Sequence, residues 1–115
     1  VLTREHRLTS GLLFAPAIRR GRRAGTRTLV VHLHVAAPDA GTSPQVGFVV
    51  SKAVGSAVTR NLVKRRLRHL TRERLSLLPG SAVLVVRALP PSATATYAEL
   101  GADLDRALSR ALARS

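Results

Sequence analysis

No cysteine, methionine or tryptophan occurs among the 115 residues, and aromatic side chains make up only 3 % of them. Without cysteine there is no disulfide framework and no thiolate metal site. Acidic residues are scarce too: 6 Asp and Glu face 19 Lys and Arg, a net charge of +13. Carboxylates so few and scattered suggest no two-metal centre, and no histidine pair can be assigned as general acid and base. No apolar run nears the roughly 18–20 residues that span a bilayer. Val1–Arg7 has no signal-peptide apolar region, so a soluble, cytoplasmic protein with no membrane partner is expected.

What is present is a folding chain with a cationic surface. Apolar residues make up 45 % of the sequence, too many for a disordered basic tail. The length fits one domain, residues 1–115, with a modest core. The charge excess favours a phosphate-rich partner.

The richest segment runs from Ser51 to Arg72. A turn marked by Gly55 leads into a helix expected over Ala57 to Leu77, with cations at Arg60, Lys64, Arg68 and Arg72. That i, i+4 series stacks like charges on one helix face at a cost of roughly 0.2–0.5 kcal/mol per pair. Asn61 and Arg65 share a side, while Val63, Leu67 and Leu70 gather on another face. A solvated charged face is the ordinary reading of such a row. Here, however, Glu73 alone stands against Lys52, Arg60, Lys64, Arg65, Arg66, Arg68, Arg72 and Arg74. Phosphate binding is the better account, since the arginine fork grips two phosphate oxygens and Asn61 offers both a donor and an acceptor. The row Arg106, Arg110 and Arg114 has Asp103 beside it and reads as a solvated face.

Around this segment the pattern is α-β-β-α-β-α, allowing for one further short strand: a small α+β fold with helices packed on a central sheet. A short helix follows Thr9 or Ser10, limited by Pro16 and stopped by Gly21. Arg19, Arg20, Arg22, Arg23 and Arg27 fall in a basic loop, suited to phosphate contact without fixed register. Leu29–Val35 is a strand with Leu29, Val31, Leu33 and Val35 on one face and Thr28, Val30, His32 and His34 on the other. Gln45–Ser51 is a second strand, and Ser81–Arg87 carries an apolar run suited to a central strand. Thr96 and Glu99 form a capping box opening the last helix, lined by Leu100, Leu104, Leu108 and Leu112. His32 and His34 point to one face but lack a third ligand, so no metal is assigned to the protein.

The block Val46-Gly-Phe-Val-Val-Ser51-Lys52, then Gly55-Ser-Ala-Val-Thr-Arg60-Asn61, then Lys64-Arg65 and Arg68, resembles the signature of the protein subunit of bacterial ribonuclease P. Arg7-Leu8 with Phe14, Gly21 and Arg27, and Tyr97 with Glu99, extend the resemblance over nearly the whole chain. The resemblance implies a left-handed β-α-β crossover, where the general rule gives a right-handed one. It implies a catalytic RNA as partner, precursor tRNA with its 5′ leader as substrate, and magnesium held mainly by the RNA. Hydrolysis would occur in the RNA, and the protein alone would be a monomer and no nuclease.

On this resemblance Lys52, Arg60, Asn61, Lys64, Arg65 and Arg68 bind RNA, with Arg19, Arg20, Arg22, Arg23, Arg27 and Arg72 as auxiliary basic contacts. Core packing is the first reading for Phe14 and Phe48. The resemblance instead places Phe14 and His32 along a leader-binding cleft, where flat rings stack on bases, and leaves Phe48 between core and cleft. Five positions depart from the family pattern: Leu62 stands where the Arg-Asn-Arg core has its second arginine, Ala53 replaces a lysine, Val49 replaces a frequent small polar residue, and Ile18 and His32 occupy positions often aromatic. The alternative of another class is a structural RNA-binding protein of ribosomal type with no role in cleavage.

Overall fold

The computed structural model describes residues 21–35, 44–80 and 82–113. The expected first helix, with Phe14 and Ile18, and the residues Arg19 and Arg20 lie outside them. Strands β1 (Arg22–Gly25), β2 (Leu29–Val35) and β3 (Gln45–Val49) precede helix α1 (Ala57–Arg72), followed by β4 (Ala82–Ala88) and α2 (Tyr97–Ala113). The four strands form one mixed sheet in the order β1-β2-β4-β3. β2 runs antiparallel to both β1 and β4, while β3 and β4 are parallel and joined through α1.

The apolar run of β4 occupies the centre of the sheet, with Leu84, Val85 and Val86 fully buried. Its two faces differ. Leu84 and Val86 pair with Leu33 and Val31 of β2 and with Val46 and Phe48 of β3. These residues join Val63, Leu67 and Leu70 of α1 and Leu100, Leu104 and Leu108 of α2 in one hydrophobic cluster. The 3.6-residue periodicity of both helices thus meets the two-residue periodicity of the strands on a single face. On the opposite face the hydrophobic neighbours of Val85 among the described residues are Val49 and Val83.

Three expectations are corrected. Arg22–Gly25 is a strand rather than part of a basic loop. It pairs with β2 from Arg22↔Leu33 to Gly25↔Val30, and Ala24 faces the core. Its sequence, Arg-Arg-Ala-Gly, has none of the β-branched residues that mark a strand; the pairing comes from the neighbouring strand. The second strand ends at Val49 rather than Ser51, because Ser51 and Lys52 accept the backbone bonds of a 3-10 turn over Lys52–Val54. The basic helix ends at Arg72, not Leu77. Arg74 leaves helical geometry (φ −112°, ψ 7°), and a 3-10 turn over Leu75–Leu77 follows. The Arg74 guanidinium reaches back to the Leu70 carbonyl at 2.7 Å and across to Asp105 of α2, so a tertiary clasp replaces the continuing helix.

The last helix begins as its sequence indicates. The Glu99 carboxylate accepts from Thr96 N at 2.8 Å, and Thr96 Oγ1 accepts from Glu99 N at 3.1 Å. Hydrogen bonding to the carboxylate from the Thr96 backbone first, then from the Thr96 side chain, holds the Glu99 carboxyl below its usual pKa, with the Arg27 cation adding to the effect.

Candidate nucleic-acid interface

The α1 surface begins at Gly55, whose φ of +154° and ψ of −160° belong to a region that only glycine occupies easily. That conformation turns the chain from Lys52 into Ser56, whose Oγ accepts from Thr59 N. No acid occupies the first helical turn, so the partial positive charge of the helix N-terminus adds to the side-chain cations. Lys52 is exposed in the turn ahead of the helix, not at the end of a strand.

Around α1, Val63, Leu67, Leu70 and Thr71 point inward. Asn61, Arg65, His69 and Arg72 are exposed, while Arg60, Lys64 and Arg68 are half-buried along one flank. Arg60 Nε donates to the Gly55 carbonyl at 3.2 Å, which fixes the start of that flank. Val58, Asn61, Leu62, Lys64, Arg65, Arg68 and His69 line one open hollow. The structure therefore brings Arg60, Asn61, Lys64, Arg65, Arg68 and Arg72 onto one continuous surface, with Lys52 before its N-terminal end.

The other cations divide by what they touch. Arg22 NH1 donates to Ala111 O at 3.1 Å, Arg66 NH1 to Ala95 O at 3.3 Å and Arg110 NH1 to Gly25 O at 3.0 Å. Arg27 pairs with Glu99, and Arg106 with the buried Asp103. These arginines hold segments of the fold together. Arg66, one turn from Leu62, is engaged at Ala95 rather than taking the place of the second arginine.

Asp103 is buried near the start of β2, where Thr28 Oγ1 donates to it at 2.6 Å. Burial opposes its charge, but the hydrogen bonds from Thr28 and Arg106 prevail and keep its pKa below the ordinary value. Asp105 is likewise held low by Arg74, and Glu73 lies 3.8 Å from the same guanidinium. Every described carboxylate thus has an arginine partner, and no described group of three His, Cys, Asp or Glu is placed to hold a metal.

The second candidate surface is the sheet face away from α1 and α2. One row across it reads Arg23, His32, Val85, Gly47, and the next Gly25, Val30, Arg87, Val49. His32 is only 5 % exposed, and its Nδ1 has no hydrogen-bond partner among the described residues. Burial, then the charges of Arg23 and Arg87, push its pKa below the ordinary 6.5. Phe48 lies on the opposite, helix-covered face against the core, so the sheet separates His32 and Phe48. Phe14 lies outside the described residues. Arg87 was missed by sequence reasoning, although its signal was there: it is the one charge in an apolar strand, at the same parity as Val83 and Val85.

A cation-rich helix surface on a mixed sheet, with the described acids paired to arginines, defines a small α+β polyanion-binding protein. The family model for Ribonuclease P matches residues 2–112. A ribonuclease P protein component from a Nocardioides species is 66 % identical over 110 residues, covering 96 % of this chain and 94 % of the relative. One from Streptomyces avermitilis is 53 % identical over 118 residues, covering 97 % and 96 %. The Staphylococcus aureus ribonuclease P protein has the same fold, with a TM-score of 0.81, 24 % identity and coverage of 92 % of this chain and 94 % of that one. The Thermotoga maritima ribonuclease P protein aligns with a TM-score of 0.75 at 22 % identity, over 90 % and 96 % of the two chains. The chain belongs to the ribonuclease P protein family, and its sheet and helices are those of that fold.

Proposed function

We propose that this chain binds the catalytic RNA of ribonuclease P through α1 and the 5′ leader of precursor tRNA along the sheet face away from α1 and α2, in the cytoplasm. It thereby assists magnesium-dependent removal of the leader. The observation that carries this reading is the partition of the cations. Among the described residues, Lys64, Arg65, Arg68 and Arg72 have no carboxylate paired with them, whereas the described acids are held by other arginines. Cations left in that state attract phosphates and release their counterions on binding.

The protein's part is positioning and screening of phosphate charge. Each carboxylate of the described residues is engaged by an arginine, and in this reading the metal ions and the hydrolysis belong to the RNA. On the sheet face, the exposed Arg23 and Arg87 flank the buried His32 where a single-stranded leader would lie, and supply cations for its phosphates.

The test is leader cleavage from precursor tRNA by a bacterial ribonuclease P RNA at limiting magnesium, with and without the protein. Cleavage that needs both RNA and protein, and is lost in the Lys64/Arg65/Arg68-to-Ala variant, is expected. Cleavage by protein alone would place an active site in the chain. Tight RNA binding without stimulation would favour a structural RNA-binding role.

A further inference from the structure

The outer face of α1 is not uniformly cationic. Val58 is 80 % exposed and Leu62 37 %, the two large apolar side chains that this helix leaves in solvent. They stand one turn apart, and with Asn61 and Arg65 they occupy positions i, i+3, i+4 and i+7, the four corners of a patch with neighbours roughly 5–6 Å apart. All four line the same hollow. Arg60, Lys64 and Arg68 descend the adjoining flank, so the helix carries a cationic edge beside an apolar one.

We infer that the Val58–Asn61–Leu62–Arg65 patch receives one unstacked nucleobase of the RNA whose backbone lies along Arg60, Lys64 and Arg68. This rests on the RNA-binding reading of α1 given above. The chemistry of the corners fits a base better than a phosphate. The Val58 and Leu62 methyl groups offer a face for van der Waals contact, Arg65 a planar cation for stacking, and Asn61 an amide whose donor and acceptor match a base edge. Phosphate would gain nothing from the two apolar corners. The surrounding cations select RNA over an apolar protein surface, which would have to desolvate them. Leu62, at the position where the family pattern has an arginine, thus substitutes a base contact for a phosphate contact.

The two kinds of contact differ in salt dependence. A phosphate contact contributes to the slope of log K against log salt, while an apolar or stacking contact changes affinity at all salt concentrations alike. Binding of the full chain to a bacterial ribonuclease P RNA is measured over a salt series for the natural protein and for the Leu62→Ser, Val58→Ser and Lys64→Ala variants. Leu62→Ser and Val58→Ser each raise Kd about fivefold at every salt concentration, with slope unchanged. Lys64→Ala flattens the slope. Unaltered affinity in both serine variants, or a loss confined to low salt, overturns the inference. So does self-association of the free protein that Leu62→Ser abolishes, which would make a second copy the occupant. If Lys64→Ala also leaves affinity and slope unchanged, the RNA-binding reading of α1 fails, and the base site with it.

Discussion

Arg74 grips Asp105 with two prongs, Nε to Oδ1 at 2.5 Å and NH2 to Oδ2 at 3.2 Å, and so ties the end of α1 to the middle of α2. A third nitrogen, NH1, donates to the Leu70 carbonyl, so one side chain both closes the helix and joins it to its neighbour. The Asp105 side chain is 55 % exposed, which weakens the Coulombic part, but the bidentate geometry retains specificity. Asp105→Asn should lower stability by about 1 kcal/mol, and Arg74→Ala by more, because it also strips the Leu70 carbonyl of its partner. Thermal unfolding of the two variants checks the order.

The same pair, with Asp103, sets the acid limit of the fold. Both carboxyls lie below the ordinary 3.8 in the folded protein, so the unfolded chain takes up protons first as pH falls. Their contribution is complete above the unfolded value and is lost as pH drops through the folded values. Unfolding free energy should therefore be flat with respect to these groups near neutrality and decline below about pH 4. A pH series of denaturant titrations reads this directly, and Asp105→Asn should make the decline shallower.

Gly55 joins fold and function at one backbone position. A Cβ there would meet Thr59 Cβ and Cγ2 at 3.2 Å, and φ is +154°. Gly55→Ala should cost about 1–3 kcal/mol. It should also weaken RNA binding, because the Gly55 carbonyl holds Arg60 and the turn carries Lys52. Thermal unfolding and RNA affinity are expected to fall together, unlike in the Lys64→Ala variant, where only affinity falls.

Much of this arrangement was legible in the sequence, and the misses share a cause. β2 has the expected limits because Leu29, Val31, Leu33 and Val35 recur at two-residue spacing in a run rich in valine, and the Thr96–Glu99 capping box sets the start of α2. Such signals are local. β1 was hidden because Arg-Arg-Ala-Gly becomes a strand only through its pairing with β2, and the end of α1 because Arg74 answers to an aspartate 31 residues away. The site shows the same division. Periodicity collected Arg60, Lys64 and Arg68, but it could not show that Arg22 and Arg66 are engaged with distant carbonyls, or that His32 and Phe48 face opposite ways.

The division between engaged and available arginines should appear as two classes of variant. Arg22→Ala removes a bond from β1 to the C-terminal turn of α2, and should lower the unfolding temperature with little effect on the salt slope of RNA binding. Arg68→Ala and Arg72→Ala should leave the unfolding temperature near that of the natural protein. Each should reduce the salt slope by about 0.7–0.9. Equal slopes in all three variants would mean that burial and bonding do not sort these cations by role.

His32 offers a direct probe of the sheet face. Burial and the cations Arg23 and Arg87 keep its folded pKa below 6.5, so at neutral pH the ring is uncharged. As pH falls through 6.5 the unfolded chain binds this proton before the folded one does, and stability declines by the corresponding linkage. Arg87→Ala removes one of the two charges, so the His32 titration followed by proton NMR should move upward, toward 6.5. A leader phosphate beside Arg23 and Arg87 would neutralise the same field, and bound single-stranded RNA should therefore shift the titration in the same direction. An unshifted midpoint with RNA bound would place the leader away from this face.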